Sequence, residues 1–320
     1  MTTALTVNTN AELVTDSVAS RLERLTAEWI AFADVQPVTQ ATYNRALKNF
    51  ASWIKSNGIT EISREVCISY RDSILETLKP STCRLYFSCV KLFVKFLASK
   101  GICPNVADNV KNVKVDNSVH SRAALTVDEC KKVFHVMTGG NEKSLRDKAI
   151  IGLMMSTGLR TIEIVRLDVG DIERRGKKLF LTVHGKARAG KQDRVVLPAQ
   201  CSALISSYLK LRGRVDKKSP LFVSTSRRCK NERLQTQTVS RLAKKALVKA
   251  GFIGEWYCAH SLRHSFATNA IVAGVDIFNV SKAMRHKSVN VTQIYIHDLA
   301  EYENETTATV ADLIFQRKEE

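Results

Sequence analysis

Large apolar residues recur at helical spacing early in the chain. Four of them follow one another at steps of four, three and four: Tyr43, Leu47, Phe50 and Ile54. This spacing places them on one face of a helix that Gly58 can close. The residues before this region, 1–17, are polar and lack helical periodicity, so we expect them to form a flexible lead-in.

A second helical pattern begins after Pro80. Ser81 is a suitable N-cap and Gly101 ends the pattern. The predicted buried stripe consists of Leu85, Cys89, Leu92, Phe93 and Phe96. Together the two patterns predict an all-helical N-terminal domain at 18–105.

Polar residues then dominate up to Arg122, which predicts an interdomain linker at 106–122. Directly after it, the residues from Thr126 to Glu129 have the pattern of a capping box that opens a helix. A similar pattern from Ser144 to Asp147 suggests another helix start. We therefore expect a second domain at 123–320 that begins helical.

The second domain mixes two kinds of pattern. Strand-like patterning occurs at Leu179–His184, Arg194–Leu197 and Leu221–Val223. Helical patterning returns at Val239–Ala250, Ser261–Ala273 and Asp276–Arg285. These stretches predict a mainly α protein whose second domain is mixed α/β, mostly helical, with a small sheet.

The charge of the chain indicates a polyanionic partner. Its 320 residues carry a formal net charge of +18, of which residues 1–104 contribute only +3 and residues 105–320 contribute +15. Nucleic acid is the leading candidate. Six basic residues are candidate DNA-binding residues, although a solvated face explains them as well: Arg84, Lys91, Lys95, Arg241, Lys244 and Lys245.

Cysteine usage and hydropathy indicate a cytoplasmic protein. The eight cysteines form no CxxC pair and no metal-ligand spacing with histidine, which is typical of reduced thiols. The longest apolar runs are far shorter than the roughly 20 residues of a membrane span. We expect no metal site and no membrane association.

Several segments of the second domain carry candidate chemistry. Arg160 stands at a predicted helix start, where a guanidinium fork suits a phosphodiester. A basic turn between two strand-like runs contains Lys186. His260 and Arg263 are three residues apart at a helix start, and an imidazole beside a guanidinium suits proton transfer at a bound phosphate. Taken singly, each segment is more typical of a structural role or of a solvated surface.

Two further residues complete a pattern. His286 follows the last predicted helix, and Tyr295 comes nine residues later, although a tyrosine alone is normally part of a core. In order and spacing the set resembles the signature of the tyrosine recombinases, the family of Xer recombinases and phage integrases. The matching motifs are Gly-Leu-Arg160, Gly-Lys186, His260-x-x-Arg263-His-Ser-Phe-Ala-Thr268, His286 and Thr-Gln-Ile-Tyr295-Ile-His.

The resemblance implies a fold and an activity. The fold is an N-terminal helical core-binding domain of the SAM-like type, followed by a catalytic domain with a small antiparallel sheet and a C-terminal tail at about 299–320. The implied activity is site-specific cleavage and rejoining of DNA through a 3′-phosphotyrosyl bond and a Holliday junction. In this scheme Tyr295 is the nucleophile, and Arg160 and Arg263 hold the nonbridging phosphate oxygens.

The resemblance also implies roles for the other residues. Lys186 matches the general acid that protonates the 5′-oxygen, with Lys191 in the same basic turn as its alternative. His260 matches the histidine that assists proton transfer at the tyrosine, and His286 the residue that helps to hold the phosphate. Glu163 corresponds to an acidic residue that braces the site.

The implied partners are double-stranded DNA with specific recombination sites and three further copies of the chain, which form a homotetramer on two duplexes. The tail is expected to dock either on a neighbouring protomer or on its own core. No metal or nucleotide cofactor is implied, because the phosphotyrosyl bond keeps the energy of the diester. Two residues, Ala187 and Arg285, depart from glycines common in the family. The alternatives are a type IB topoisomerase and a noncatalytic DNA-binding protein of the same fold.

Overall fold

The computed structural model of the protein describes residues 18–115, 123–184, 193–286 and Ser288. The chain divides into two compact units, Met1–Asp116 and Asn117–Glu320. Each unit has its own cluster of buried apolar side chains.

The described part of the first unit is helical. Its helices are α1 (Val18–Phe32), α2 (Pro37–Ser56), α3 (Arg64–Thr77) and α4 (Pro80–Ser99). Proline opens both α2 and α4, where its fixed φ suits the first turn and no amide hydrogen is needed. The predicted apolar face of α2 is buried at Leu47, Phe50 and Ile54.

The buried face of α4 differs from the predicted stripe. Leu85 and Leu92 are 46% and 47% exposed, whereas the other three residues of the stripe are buried. The core receives a face that repeats at steps of four and three: Cys83, Phe87, Val90, Val94 and Leu97. Because that face meets α2 and α3, the two leucines are turned towards solvent.

The first unit continues past its predicted boundary at residue 105. Val110 and Val113 are buried in its core. Lys91 Nζ donates a hydrogen bond of 2.8 Å to the carbonyl of Val110, and Asn112 Nδ2 donates one of 2.7 Å to Ser88 Oγ. Residues 106–115 are therefore packed against α4 instead of forming a linker, because their valines fill the core. The rest of the predicted linker, 116–122, lies outside the described residues.

The described part of the second unit contains helices and a sheet. The helices are α5 (Val127–His135), α6 (Glu142–Thr157), α7 (Thr161–Val165), α8 (Ala199–Arg212), α9 (Thr236–Lys249), α10 (Ala259–Val272) and α11 (Ile277–Met284). The strands are β1 (Ile172–Arg175), β2 (Lys178–Val183) and β3 (Asp193–Leu197), and a single 3-10 turn, Val169–Asp171, precedes β1.

The three strands form one antiparallel sheet in the order β1-β2-β3. Leu181 of β2 pairs with Ile172 on one side and with Val195 on the other. Two of the three predicted strand stretches lie in this sheet, whereas β1 was not predicted. The third stretch is not a strand: its residues 221–223 are buried, and Val223 makes only an isolated bridge with Arg233.

The core of the second unit is built around α6. Most of this helix is buried, and it packs against α8 and α10. Its N-cap is Asn141, whose side chain accepts a hydrogen bond from the amide of Ser144, so the helix begins before the predicted start. The capping box at the start of α5 is confirmed, since Thr126 and Glu129 bond each other's backbone amides.

The architecture confirms the predicted fold class: a helical N-terminal unit and a mostly helical C-terminal unit with a small antiparallel sheet. All eight cysteines are free thiols. Across the ranges that the structure describes, no helix is long and apolar enough to cross a membrane.

Candidate active site

Arg160 lies on the tight turn between α6 and α7. Gly158 ends α6 with a φ of +60°, and a Cβ there would come within 2.6 Å of the Phe266 ring and 2.9 Å of the Met284 sulfur. Glycine is required because the left-handed backbone is strained for other residues and the close approach of α10 and α11 leaves no room for a side chain. Arg160 then occupies the N-cap position of α7, as the sequence predicted.

Glu163 is fully buried beneath Arg160. Its Oε1 accepts a hydrogen bond of 2.8 Å from Arg160 Nη1, and its Oε2 accepts one of 2.8 Å from the backbone amide of Arg160. Burial raises the pKa of Glu163, but the nearby charges and hydrogen bonds of Arg285 and Arg160 outweigh it and hold the pKa below its ordinary value. The carboxylate therefore stays ionised and fixes the arginine at the start of α7.

Arg285 reaches the same carboxylate from the end of α11. It is the C-cap residue of that helix and lies in the left-handed region, with φ of 54° and ψ of 45°. Its Nη2 donates to Glu163 Oε2 at 2.8 Å, its Nε donates to Oε1 at 3.4 Å, and its Nη1 donates to the carbonyl of Ala283 at 2.6 Å. Sequence analysis noted this residue only as a departure from glycine; its contact with Glu163 has no signal in the sequence.

Helix α10 supplies His260 and Arg263. Arg263 is 2% exposed, and its two terminal nitrogens donate to the carbonyls of Gly158 and Met284. These bonds join α10 to the turn before Arg160 and to the end of α11. His260 is exposed, and its ring lies 5.0 Å from that of His264, at an interplanar angle of 77°.

Two residues that sequence analysis gave no role hold α10 in place. Ser265 Oγ accepts a hydrogen bond of 2.8 Å from the amide of Leu125, and Asn269 Nδ2 donates one of 3.1 Å to the carbonyl of Leu125. Ser265 lies inside the quoted motif that follows Arg263, so the motif itself was the available signal. The two bonds position the helix that carries His260 and Arg263.

His286 follows α11 and is half-buried. Burial, and then the positive charges of Arg263, Arg160, Arg285 and His260, lower its pKa to about 4. The imidazole is therefore neutral at physiological pH. The hydrogen bonds of Arg263 and Arg285 join three separate segments, the α6–α7 turn, α10 and the end of α11, in one cluster.

The remaining predicted site residues lie outside the described residues. These are Lys186 and its alternative Lys191, Tyr295, and the C-terminal tail at about 299–320. The ends of the basic turn are described, since Val183 of β2 pairs with Asp193 of β3. That turn is therefore the connection between two adjacent antiparallel strands.

The candidate DNA-binding residues divide into two groups. Two of the lysines donate to backbone carbonyls of their own unit: Lys91 to Val110, as described above, and Lys244 to Gly254 and Tyr257. These contacts give both lysines a structural function that their sequence spacing did not indicate. The other four candidates are exposed: Arg84, Lys95, Arg241 and Lys245. Arg241 and Lys245 also line a cavity of about 190 Å³ beside α6.

Comparison with known proteins places these features in a family. The sequence model of the phage integrase family matches residues 123–301. A tyrosine recombinase of Synechocystis is 28% identical over 87% of this chain and 92% of its own length. The tyrosine recombinase XerC of Thermodesulfovibrio yellowstonii is 30% identical over 71% of this chain and 74% of its own length.

Solved structures share the fold. The XerH site-specific recombinase, in its post-cleavage complex with a palindromic difH substrate, superposes with a TM-score of 0.71 at 20% identity, over 92% of this chain and 84% of that one. Lambda integrase residues 75–356, in a dimer bound to a COC′ core site, superpose with a TM-score of 0.66 at 18% identity, over 86% of this chain and 97% of that one. The family match covers the whole candidate site, so the chain belongs to the phage integrase family of tyrosine recombinases.

Proposed function

We propose that the chain is a site-specific recombinase that cleaves DNA by joining it to Tyr295 and rejoins it to a different strand. The observation that carries this proposal is the cluster of Arg160, Arg263 and His286, assembled from three separate segments around a fully buried Glu163. Such a cluster suits a phosphodiester, because the reaction builds negative charge on the phosphate oxygens.

The two arginines carry different parts of this task. Arg160 is partly exposed, and its guanidinium lies at the start of α7, where Glu163 holds it. Arg263 is buried and donates to the carbonyls of Gly158 and Met284, so its guanidinium charge is held between the α6–α7 turn and the end of α11. Together they would stabilise the charge of the pentavalent transition state.

His286 acts as a neutral hydrogen-bond donor in this scheme. Its pKa of about 4 leaves the imidazole uncharged at neutral pH, so it contributes a directed hydrogen bond to the phosphate without adding charge. His260, exposed at the start of α10, takes the proton from the attacking hydroxyl in this scheme.

The covalent step exchanges one ester for another. The Tyr295 oxygen attacks the phosphorus, the bond from phosphorus to the 5′-oxygen breaks, and the leaving oxygen takes a proton from Lys186 or Lys191 to become a 5′-hydroxyl. Attack by the 5′-hydroxyl of a second strand reverses the step, so the reaction needs no external energy source. A substrate with a 5′-thiolate leaving group needs no proton, and it should rescue whichever lysine variant lacks the acid.

The partners of the proposed reaction are two DNA duplexes and four copies of the chain. The high positive charge of residues 105–320 supports the DNA partner. The structure of a lambda integrase tetramer bound to a Holliday junction, a relative of the same fold, supports the assembly. Exchange of the C-terminal tail between protomers is the corresponding proposal for residues after about 299.

The test begins by trapping the covalent complex on genomic DNA and sequencing the DNA joined to the protein. Two duplexes that carry the recovered sequence are then incubated with the parent protein. We expect a four-way junction and recombinant strands. Relaxation of supercoiled DNA without junctions would instead identify a type IB topoisomerase, and specific binding without an adduct would identify a noncatalytic protein.

A further inference from the structure

Glu163 shares its carboxylate between two arginines. Arg160 and Arg285 each donate to both of its oxygens, and three of these four hydrogen bonds measure 2.8 Å. The group of three side chains therefore carries one net positive charge. With Arg160 and Glu163 alone, the net charge would be zero.

The two arginines differ in depth. The side chain of Arg285 is 7% exposed, whereas that of Arg160 is 24% exposed. A buried carboxylate must be paired, and Arg285 is the partner that is itself enclosed. The charge of Arg285 also lowers the pKa of Glu163 more than the charge of Arg160 does.

The backbone at Arg285 adds an independent observation. Its left-handed conformation is unfavourable for any residue with a Cβ, and glycine would adopt it without strain. The side chain that stands there turns inward and contacts Glu163, Ala283 and, at 3.4 Å, the carbonyl of Gly158. Glycine would relieve the backbone strain but would remove these hydrogen bonds. The hydrogen bonds therefore point to a role for the Arg285 side chain.

We propose that Arg285 is a positioning residue that offsets the charge of Glu163, so that the positive charge of Arg160 stays available to a phosphate. Arg285 does not itself touch DNA in this account. Glu163 orients Arg160 at the start of α7, and Arg285 prevents the same carboxylate from neutralising it. The inference rests on the proposed function for its consequence in cleavage, but its effect on phosphate affinity can be measured separately.

The test compares R285G, E163Q and the double variant E163Q/R285G with the parent. R285G suits the left-handed backbone and removes the cation. Glu163 then pairs with Arg160 and cancels its charge. We expect its affinity for inorganic phosphate, followed by the NMR signals of His286, to fall by about tenfold. The rate of adduct formation in a single turnover on a nicked substrate should fall by about the same factor.

The double variant separates charge compensation from simple structural support. Removing both charges leaves Arg160 unopposed, so E163Q/R285G should recover phosphate affinity and cleavage relative to R285G. A double variant no better than R285G, with a folded far-UV spectrum, would overturn the proposal. If the parent forms no adduct, the proposed function fails, while the phosphate measurement still decides the role of Arg285.

R233A is the matched control. Arg233 pairs with Asp168 at 2.6 Å and donates to two backbone carbonyls, so its loss also removes an arginine–carboxylate pair from the same unit. We expect R233A to lower the melting temperature without changing phosphate affinity. A loss of phosphate affinity in R233A equal to that in R285G would count against a specific role for Arg285.

Discussion

The backbone amide of Leu125, at the start of the second unit, donates a hydrogen bond of 2.8 Å to the hydroxyl of Ser265 in α10. The two residues are 140 positions apart, and both are buried. Because α10 also carries His260 and Arg263, this bond positions two of the candidate catalytic residues from a distant part of the chain.

Ser265→Ala should destabilise the protein by about 1–3 kcal/mol, since it leaves the buried amide of Leu125 without its acceptor. The free energy of unfolding in urea measures this loss. Ser207→Ala is the control, because that hydroxyl bonds only a carbonyl on the exposed face of α8 and its removal should cost little. Equal losses in the two variants would contradict the role given to Ser265.

Gly158→Ala should be strongly destabilising for two reasons. The left-handed backbone costs about 1–3 kcal/mol, and the added methyl group would meet Phe266 and Met284. Gly176→Ala is the matched control, because Gly176 has a φ of +57° but nothing within 4 Å of the added Cβ. The difference between the two unfolding free energies isolates the steric contact. A difference near zero would mean that α10 and α11 do not close on the turn.

The depressed pKa of His286 makes stability depend on pH. Its folded-state pKa is about 4, against an ordinary value of 6.5, so unfolding takes up a proton when the pH lies between these values. The contribution of the neutral His286 to the free energy of unfolding is fully present above pH 6.5 and is lost as the pH falls towards 4. His286→Gln removes this titration and should lose less stability than the parent between pH 7 and pH 5 in urea denaturation. Identical pH dependence in both proteins would contradict the assigned pKa.

Arg84 and Lys91 lie on the same helix but should behave differently. Arg84 is exposed, so Arg84→Ala should reduce the slope of log affinity for DNA against log salt by about 0.9, the change expected for one phosphate contact. Lys91→Ala should leave the slope unchanged and lower the stability of the first unit by about 1 kcal/mol, because the carbonyl of Val110 loses its donor. If Lys91→Ala reduced the salt slope and Arg84→Ala lowered the stability instead, Lys91 would be the DNA contact and Arg84 the structural residue.

Local patterns predicted most of the helices that carry the site. The capping box at Thr126 and Glu129 is a short-range signal, because both partners lie within one helical turn. The apolar face of α2 is equally local, since the spacing of residues along one helix decides it. The turn at Gly158 and the placement of Arg160 at the start of α7 were predictable for the same reason.

Contacts between distant segments were not predictable in this way. Leu85 and Leu92 have the spacing of a buried face, but the orientation of α4 is decided by which face meets α2 and α3. Lys91 and Lys244 have the spacing of surface cations, but their side-chain amines donate hydrogen bonds to backbone carbonyls of packed loops. The helix α8 has a buried face at Cys201, Ile205 and Tyr208, yet sequence analysis did not identify it.

Peptide mapping of the covalent adduct shows whether Tyr295 is the nucleophile. A nicked suicide substrate releases its short flap on cleavage, which prevents religation and accumulates the adduct. Tyr295→Phe removes one hydroxyl and keeps the ring, so it should bind DNA normally and form no adduct. Tyr302→Phe, seven residues further on between Glu301 and Glu303, is the control and should form the adduct at the parent rate. An adduct that persists in Tyr295→Phe, or that maps to Tyr302 in the parent, would contradict the account.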